Sequence, residues 1–324
     1  MLVGLTYDLK DDYLAQGFSD EQAGEFDAAA TIDSIEAAIQ ANGHAVERVG
    51  AIRALVAALA AGRSWDLVFN IAEGVAGIAR EAQVPALLEA YDIPFTFSTA
   101  DVLTVAMDKA LAKLVVRQAG INTPEFAVVR SARDLQTVKL PFPLFVKPLA
   151  EGTSKGVQET SRVIDRQGLT QKCLEVLKTY RQPALVETYL PGREFTVGLL
   201  GTGAAARVIG VAEVTFKPGG DPSAYSYRNK IDAYDVLTLA TDDIAAEAGA
   251  VALAAWRALG CRDAGRIDMR GDADGRPAFI EANPLAGLRP DWSELSVLAG
   301  QAGLPYVELI GAILAEAAPR VAGR

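Results

Sequence analysis

A strand–turn–strand pattern near the C-terminus constrains the fold of this chain more than any other feature. Residues 265–270 (Gly-Arg-Ile-Asp-Met-Arg) and 277–284 (Pro-Ala-Phe-Ile-Glu-Ala-Asn-Pro) have the alternation and composition of β-strands. Between them lies Gly-Asp-Ala-Asp-Gly at 271–275, a run of turn-forming residues. Two such segments on either side of a short turn predict a β-hairpin at these positions.

The predicted hairpin gathers polar side chains on one face. With the turn centred on residues 273 and 274, Asp268 lies near Phe279 on the opposite strand. Since successive side chains of a strand point to opposite faces, four polar residues share one face. They are Arg266, Asp268, Glu281 and Asn283.

That face has the donor chemistry of a cation site. The carboxylates of Asp268 and Glu281 and the amide oxygen of Asn283 are oxygen ligands of the kind that Mg²⁺ takes in proteins. Converging carboxylates repel each other unless a cation lies between them. Arg266 suits a carboxylate or a phosphate. The alternative is a solvated polar hairpin face, and we favour the metal.

Charge and composition exclude several classes of function. The chain has 324 residues, half of them hydrophobic, which is enough for two or three domains, and its net charge is −10. This charge argues against general affinity for nucleic acid or anionic lipid. No apolar run reaches the length of a membrane span, and residues 1–7 are interpreted as a first strand rather than a signal peptide.

The shortage of histidine and cysteine narrows the chemistry further. His44 is the only histidine, so a Ser-His-Asp triad or a histidine-rich zinc site is hard to build. Cys173 and Cys261 lie far apart, with no disulfide or metal spacing, which predicts a cytoplasmic location. An enzyme of this composition would use carboxylates, lysine, arginine and a metal.

Hydrophobic periodicity divides the chain into regions of different type. Over residues 1–100, alternating strand and helix patterns predict a small parallel sheet. The predicted strands there are 1–6, 45–49, 66–70 and 93–95, and the predicted helices are 28–42, 51–61 and 80–91. Farther on, we predict strands at 126–129, 145–147, 184–187, 194–200 and 208–214, a polar helix between the first two of them, and helices at 102–118, 168–180, 242–259 and 304–317.

A glycine-containing loop follows a strand that ends in a lysine. Lys147 closes the apolar strand 143–146, and the loop 151–156 (Glu-Gly-Thr-Ser-Lys-Gly) comes next. Small residues let backbone amides approach phosphate oxygens, and Thr153 and Ser154 add hydroxyl donors. The spacing is not that of a Walker A loop. An ordinary Gly/Ser turn beside solvated lysines is the alternative.

The apolar strand before Pro191-Gly192 could bind a nucleoside. Extended backbone can pair with the edge of adenine, Glu187 could accept from its exocyclic amine, and Glu194 could hold the ribose hydroxyls. Taken alone, the pattern is as well explained by a strand that runs into a turn.

In their order and spacing, these motifs resemble the ATP-grasp superfamily and, within it, the D-alanine–D-alanine ligase group. The matching segments include 89–96, Met107-Asp108-Lys109, 120–124, 146–148, 151–156, 192–197, 265–268 and 281–285. The resemblance implies an α/β and α+β fold, an ATP-grasp fold with an N-terminal Rossmann-like domain. It also implies three domains: residues 1–100 for substrate, 101–186 as a small lobe, and 187–324 as a large lobe with the metal site.

The resemblance also assigns roles to residues. The ATP-binding set would be Lys109, Lys147, Glu151, Gly152, Lys155, Gly156, Val157, Glu187, Tyr189, Leu190, Glu194 and Phe279. The catalytic set would be Arg266, Lys230, Thr153 and Ser154. Asp268, Glu281 and Asn283 would hold two Mg²⁺ ions, with Mn²⁺ as an alternative ion. A substrate carboxylate would attack the γ-phosphate to give an acyl phosphate, and an amine would then displace phosphate.

The chain departs from the family pattern where the family holds its amino acids. The His-Gly and Gly-Glu-Asp-Gly elements are replaced by 70–74 and by Arg80-Glu81. After the metal site, Gly-Met-Thr-x-His-Ser becomes 287–293 (Gly-Leu-Arg-Pro-Asp-Trp-Ser). The residues proposed for substrate are Gly287, Arg289 as a carboxylate anchor, and Glu73 or Glu25 for an ammonium.

The sequence therefore predicts an ATP-dependent ligase with altered substrate pockets, which joins the carboxylate of an amino acid to an amine. The alternatives are an authentic D-alanine–D-alanine ligase, a non-catalytic ATP-binding regulatory protein and a kinase-like enzyme that phosphorylates a hydroxyl. Small amino-acid-like substrates are the expected partners, with no nucleic acid and no membrane, and the family suggests a homodimer.

Overall fold

A computed structural model describes residues 1–152, 155–215 and 237–322 of the chain. Thr153, Ser154 and Lys230 lie outside these described residues. Within them, the strands form a three-stranded, a four-stranded and a five-stranded sheet. The predicted division into three domains stays a prediction.

The N-terminal sheet is parallel, as its alternating pattern predicts. Its strand order is β2-β1-β3, with β1 in the centre. The elements of this region are β1 (Leu2–Thr6), α1 (Lys10–Ala15), α2 (Ala29–Ala41), β2 (Ala45–Gly50), α3 (Ile52–Ala60), β3 (Leu67–Asn70) and α4 (Gln83–Ala90). The short helix α1 was not predicted. The predicted strand 93–95 is wrong, because Phe95 forms only an isolated bridge with Val68.

A break at Asp108 divides the helix predicted at 102–118. The structure has α5 (Ala100–Met107) and α6 (Lys109–Gln118). The backbone of Asp108 is extended, and its carboxylate accepts hydrogen bonds from the backbone N–H groups of Ala110 and Leu111 at 3.0 and 3.1 Å. This N-cap starts a new helix. As a result, Lys109 occupies the first position of α6.

The four-stranded sheet is antiparallel and is covered by one helix. Its order is β4-β7-β5-β6. The elements are β4 (Phe126–Val129), β5 (Leu144–Pro148), β6 (Arg162–Val163), α7 (Arg166–Thr179) and β7 (Ala184–Thr188). Val146, Val186, Leu169 and Cys173 form its core with α7. The polar helix predicted between β4 and β5 is a 3₁₀ turn, Ala132–Thr137.

The five-stranded sheet is also antiparallel, with the order β10-β9-β8-β11-β12. The elements are β8 (Glu194–Leu200), β9 (Arg207–Val214), β10 (Leu237–Leu239), α8 (Asp243–Leu259), β11 (Ala264–Gly271), β12 (Pro277–Asn283), α9 (Glu294–Gln301) and α10 (Tyr306–Ala322). Trp256 of α8 and Phe195 of β8 share a core with Val102 of α5 and Val116 of α6.

The last two helices connect this sheet to the N-terminal one. Leu295 of α9 and Ile313 of α10 lie in the same core as Val3 and Ile35. Helix α9 was not predicted. In the part of the chain that the structure describes, no single helix is long and apolar enough to cross a membrane. The pair Glu294–Gln301 and Tyr306–Ala322, bent by 109°, passes the criteria of length and composition only when both helices are taken together.

The predicted hairpin forms, but its register differs from the prediction. Met269 pairs with Phe279, whereas Asp268 pairs with Glu281, so Ile280 is an extra residue in β12. This β-bulge shifts the remaining pairs by one residue. Asp268 therefore lies directly opposite Glu281 rather than near Phe279. Arg266 lies opposite Asn283.

Candidate active site

A cleft lies between the four-stranded and five-stranded sheets. It is bordered by β5 and β7 on one side and by β8, β11 and β12 on the other. The predicted residues that line it are Lys109, Lys147, Glu151, Lys155, Val157, Glu187, Tyr189, Leu190, Glu194, Arg266, Asp268 and Glu281. Two sheets and α6 thus bring most of the predicted ATP-binding set to one place.

Glu187 lies between two lysines at the base of the cleft. Lys113 Nζ is 2.7 Å from Glu187 Oε1, and Lys147 Nζ is 3.0 Å from Oε2. All three side chains are buried. Burial raises the pKa of Glu187, but the two ammonium groups outweigh it and lower the pKa below its usual value. Burial lowers the pKa of Lys113 to about 8.

Lys113 was not predicted as a site residue from the sequence, although it lies one helical turn after Lys109 on α6. Its ammonium also donates to Thr123 Oγ1 at 3.2 Å and to the carbonyl of Phe279 at 3.3 Å. The Phe279 ring is fully buried in the core beneath the sheet and is not among the residues that line the cleft. Its predicted contact with ATP stays a prediction.

Lys109 connects the glycine loop to the hairpin. Its ammonium donates to the carbonyl of Glu151 at 2.5 Å and lies 3.3 Å from Glu281 Oε2. The side chain is 9% exposed, so this cation points into the protein rather than into solvent. A phosphate bound between the loop and the hairpin would therefore lie next to the Lys109 ammonium.

Arg266 and Asp268 form a charged network on the hairpin face. The Arg266 guanidinium donates to Asp268, and its Nε lies 2.9 Å from Glu294 Oε2. Thr196 Oγ1 donates to Asp268 at 2.8 Å, and Asn283 Nδ2 donates to it at 3.2 Å. Although burial lowers the pKa of Arg266, the neighbouring carboxylates of Asp268 and Glu294 raise it above its usual value.

The hairpin side chains fit a divalent cation by donor type. Asp268 and Glu281 are cross-strand partners, and Asn283 shares their face. Two carboxylates and an amide oxygen are hard donors suited to Mg²⁺ or Mn²⁺. Among the described residues, no group of three or more His, Cys, Asp or Glu side chains is arranged to hold a metal. The predicted set is smaller than such a group, since it has two carboxylates.

The far end of the cleft is suited to a nucleoside. Tyr189 and Leu190 line it after β7. Glu194 lies 3.1 Å from Arg270, and the Arg162 guanidinium lies over the Tyr189 ring at 4.6 Å from its centroid. An aromatic and an aliphatic side chain beside a carboxylate provide an apolar surface with an acceptor at its edge.

The backbone at position 156 of the glycine loop allows only glycine. Its φ is +76°, and a Cβ there would lie 2.6 Å from Cγ of Pro148. Both observations restrict this position to glycine. The loop thus turns tightly against the end of β5.

Two half-buried carboxylates, Glu73 and Glu81, lie close to Arg80. In the described residues, neither Glu73 nor Glu81 takes part in a hydrogen bond or an ion pair. Burial and the nearby Glu81 and Glu25 raise the pKa of Glu73 well above its usual value. Burial also raises the pKa of Glu81 to about 8, although Arg80 opposes the shift. Glu81 was missed as a candidate.

The other predicted substrate residues lie elsewhere. Gly287 and Arg289 are exposed, and neither is among the residues that line the cleft. The Arg289 guanidinium lies 5.7 Å from the centroid of the Trp292 ring. Glu25 is paired with Arg80 and Lys155. The proposed substrate roles of Gly287 and Arg289 stay predictions.

Comparison with known proteins identifies the family. A family model described as the D-ala D-ala ligase C-terminus matches residues 115–315. The D-alanine–D-alanine ligase of Bordetella petrii is 35% identical over 276 residues, which cover 83% of this chain and 80% of that protein. This chain belongs to the D-alanine–D-alanine ligase family. The corresponding ligase of Bordetella pertussis is 34% identical, with 83% of each chain covered.

A solved structure shows the fold of the family. The D-alanine–D-alanine ligase of Bacillus anthracis, complexed with ATP, aligns with a TM-score of 0.74 and 20% identity over 100% of this chain and 99% of that one. The predicted α/β and α+β ATP-grasp fold is confirmed. As a member of this family, the chain is an ATP-dependent carboxylate–amine ligase that uses a divalent metal and small-molecule substrates.

Proposed function

We propose that this chain joins two molecules of D-alanine into a dipeptide at the expense of ATP. The observation that supports this most is the 35% identity to a D-alanine–D-alanine ligase across 83% of the chain. The arrangement of the cleft agrees with it, because buried lysines and the hairpin carboxylates surround one space. The sequence alone favoured a ligase with altered substrate pockets. The function proposed here is the alternative given there, an authentic D-alanine–D-alanine ligase.

Phosphate binding is assigned to the lysines and the glycine loop. Lys109 and Lys147 would supply the positive charge, and the glycine loop is assigned to phosphate from its sequence motif. Tyr189 and Leu190 would hold adenine. Because Glu187 is already paired with two lysines, its first effect is to fix their positions. Glu194 would hold the ribose.

A divalent metal would be held by Asp268, Glu281 and Asn283. When bound, it supplies charge neutralisation at the phosphates. We propose two ions, in keeping with the family resemblance. Around this set, Arg266 pairs with Asp268 and orients its carboxylate. Arg266 would also neutralise the negative charge that develops on the acyl phosphate and on the intermediate formed when the amine attacks.

The remaining catalytic assignments concern Lys230, Thr153 and Ser154. We propose that Lys230 approaches the γ-phosphate and that the two hydroxyls donate to phosphate oxygens. These assignments are supported by the position of these residues in the sequence motifs.

The ammonium of a substrate is assigned to the unpartnered carboxylates Glu73 and Glu81. The two carboxylates are half-buried, and acidic neighbours raise the pKa of each, although Arg80 opposes both shifts. An ammonium between them would relieve this repulsion. Glu25 is less suited, since Arg80 and Lys155 already neutralise it.

Two further expectations are part of the proposal. A cytoplasmic location is supported by the unpaired, buried Cys173 and Cys261, the only cysteines of the chain. A homodimer is supported by the family resemblance alone.

A second candidate, a ligase for a different amino-acid pair, is favoured by one observation. Arg80 places a buried cation beside Glu25 in the region that replaces the family motif. Such a change would alter which side chain fits next to the ammonium site.

A substrate panel separates these candidates. ADP release is measured with Mg²⁺·ATP and each pair of D-alanine, L-alanine and other D- or L-amino acids, and products are resolved by chiral chromatography. D-alanine alone should give ADP and the D,D-dipeptide in equal amounts. ADP and a dipeptide only from another pair would support the second candidate. ADP without any dipeptide would refute both, and turnover with a hydroxyl substrate alone would indicate a kinase.

A further inference from the structure

A buried ion cluster joins the glycine loop to the N-terminal region. Both carboxylate oxygens of Glu25 accept from Arg80 Nη2, at 3.2 and 3.0 Å, and Lys155 Nζ lies 3.3 Å from Oε2. The three side chains are only 7 to 9% exposed. Burial raises the pKa of Glu25, but the two cations outweigh it, so the group is ionised with its pKa lowered. The whole cluster carries one surplus positive charge.

The same residues fix the backbone of the loop. The N–H of Gly152 donates to Glu25 Oε1 at 3.0 Å, and Arg80 Nη1 donates to the carbonyl of Ala150 at 3.1 Å. At the other described end, the N–H of Lys155 donates to the carbonyl of Gly152 at 3.0 Å. A Cβ at Gly152 would lie 2.6 Å from Glu25 Oε1, which shows how closely the carboxylate approaches the chain.

The opposite side of this loop borders the cleft. Glu151 and Lys155 both line the cleft, and the carbonyl of Glu151 accepts from Lys109. The loop backbone is therefore held from the N-terminal side by Glu25 and Arg80 and from the cleft side by Lys109. A shift on the first side would move Glu151 and Lys155, which line the cleft.

We propose that Arg80 is a positioning residue for ATP. Through Glu25 and the carbonyl of Ala150, it holds Glu151 and Lys155 where they line the cleft that takes the nucleotide. The inference rests on the proposed function only in taking the cleft as the ATP site. A positive charge alone does not suffice, because only the guanidinium fork bonds Glu25 and Ala150 at once.

Binding of a non-hydrolysable ATP analogue tests this role without turnover. The Kd of Mg²⁺·AMP-PNP is measured by calorimetry, with no amino acid present, for wild type, Arg80→Gln and Arg80→Lys. The matched control is Arg48→Gln, since Arg48 is an exposed N-terminal arginine that pairs with Asp33 and Glu36. The melting temperature of each protein without nucleotide is measured in parallel.

The two Arg80 variants should separate charge from position. Both should bind AMP-PNP about tenfold more weakly than wild type, because each loses at least one charge-assisted hydrogen bond that holds the loop. Arg80→Lys should keep a melting temperature close to that of wild type, because it still neutralises Glu25. Arg80→Gln should melt lower, and Arg48→Gln should change neither quantity. Wild-type affinity in Arg80→Lys would overturn the proposal, even if Arg80→Gln does not fold.

Failure of this inference is distinguishable from failure of the proposed function. If wild type makes no dipeptide from any amino-acid pair but Arg80→Lys binds AMP-PNP weakly, the ligase proposal fails and this one stands. If wild type makes D-alanyl-D-alanine and Arg80→Lys binds AMP-PNP as wild type does, only this inference fails.

Discussion

The buried Lys113–Glu187–Lys147 cluster yields a prediction whose size follows from its geometry. Glu187→Gln removes the one anion shared by two buried ammonium groups, at 2.7 and 3.0 Å. Removing one partner of a buried ion pair costs about 3–5 kcal/mol. With a pKa of about 8, Lys113 can release its proton near neutral pH, which limits the loss. We therefore expect a loss of about 3 kcal/mol, at the lower end of that range.

Lys113→Met should be milder than Glu187→Gln. Glu187 keeps Lys147, and an apolar side chain replaces a cation whose burial is unfavourable. We expect a loss of about 1–2 kcal/mol. In the double variant, Lys113→Met should recover part of the loss caused by Glu187→Gln, because it removes one of the two buried ammonium groups left without Glu187.

Thermal melting at pH 7 without nucleotide measures these effects. A loss of about 3 kcal/mol corresponds to a fall of roughly 4 °C when 324 residues unfold together. Glu36→Gln is the matched control. Glu36 pairs with the more exposed Arg48, and its loss should cost less than about 1 kcal/mol. Equal effects of Glu187→Gln and Glu36→Gln, or additive effects in the double variant, would refute the reasoning.

Three further predictions concern the cleft. The pKa of Glu81 is about 8 in the folded protein and near 4.5 in the unfolded chain, so the folded protein binds more protons and loses stability as pH rises from about 4.5 to about 8. Glu81→Gln should remove this pH dependence of the melting temperature. If the variant and wild type show the same pH dependence, the prediction is wrong. Gly265→Ala places a Cβ 2.6 Å from the carbonyl oxygen of Asn283 and should lower the melting temperature by several degrees. In the control Gly300→Ala, the new Cβ has no atom within 4 Å, so the melting temperature should stay unchanged or rise. Asp268→Asn should reduce kcat at least about 100-fold with a wild-type circular dichroism spectrum; near-normal turnover would refute the metal assignment.

Local patterns were sufficient to predict the parts of the site that lie on single elements. Lys147 closes an apolar strand, and Glu281 and Asn283 alternate at the end of another, so strand periodicity alone places them. The parallel N-terminal sheet follows in the same way from its alternating strands and helices. These features depend on residues that are near each other in the sequence.

Features that depend on distant partners were not predictable. The bulge at Ile280 sets Asp268 against Glu281, and strand alternation does not reveal where an extra residue falls. The pairing of Glu25 with Arg80 joins residues 55 positions apart and has no periodic signal. Arg289 follows the metal-site motif closely in sequence, but the chain there leads to the surface.

The most direct measurement of the central claim follows an oxygen atom. If the carboxylate of D-alanine attacks the γ-phosphate and the amine of a second D-alanine then displaces phosphate, one carboxylate oxygen must leave with that phosphate. With D-alanine labelled with ¹⁸O in its carboxylate, we predict one ¹⁸O in each phosphate released and one D-alanyl-D-alanine for each ADP. Unlabelled phosphate from ATP consumed in the presence of D-alanine would contradict the account.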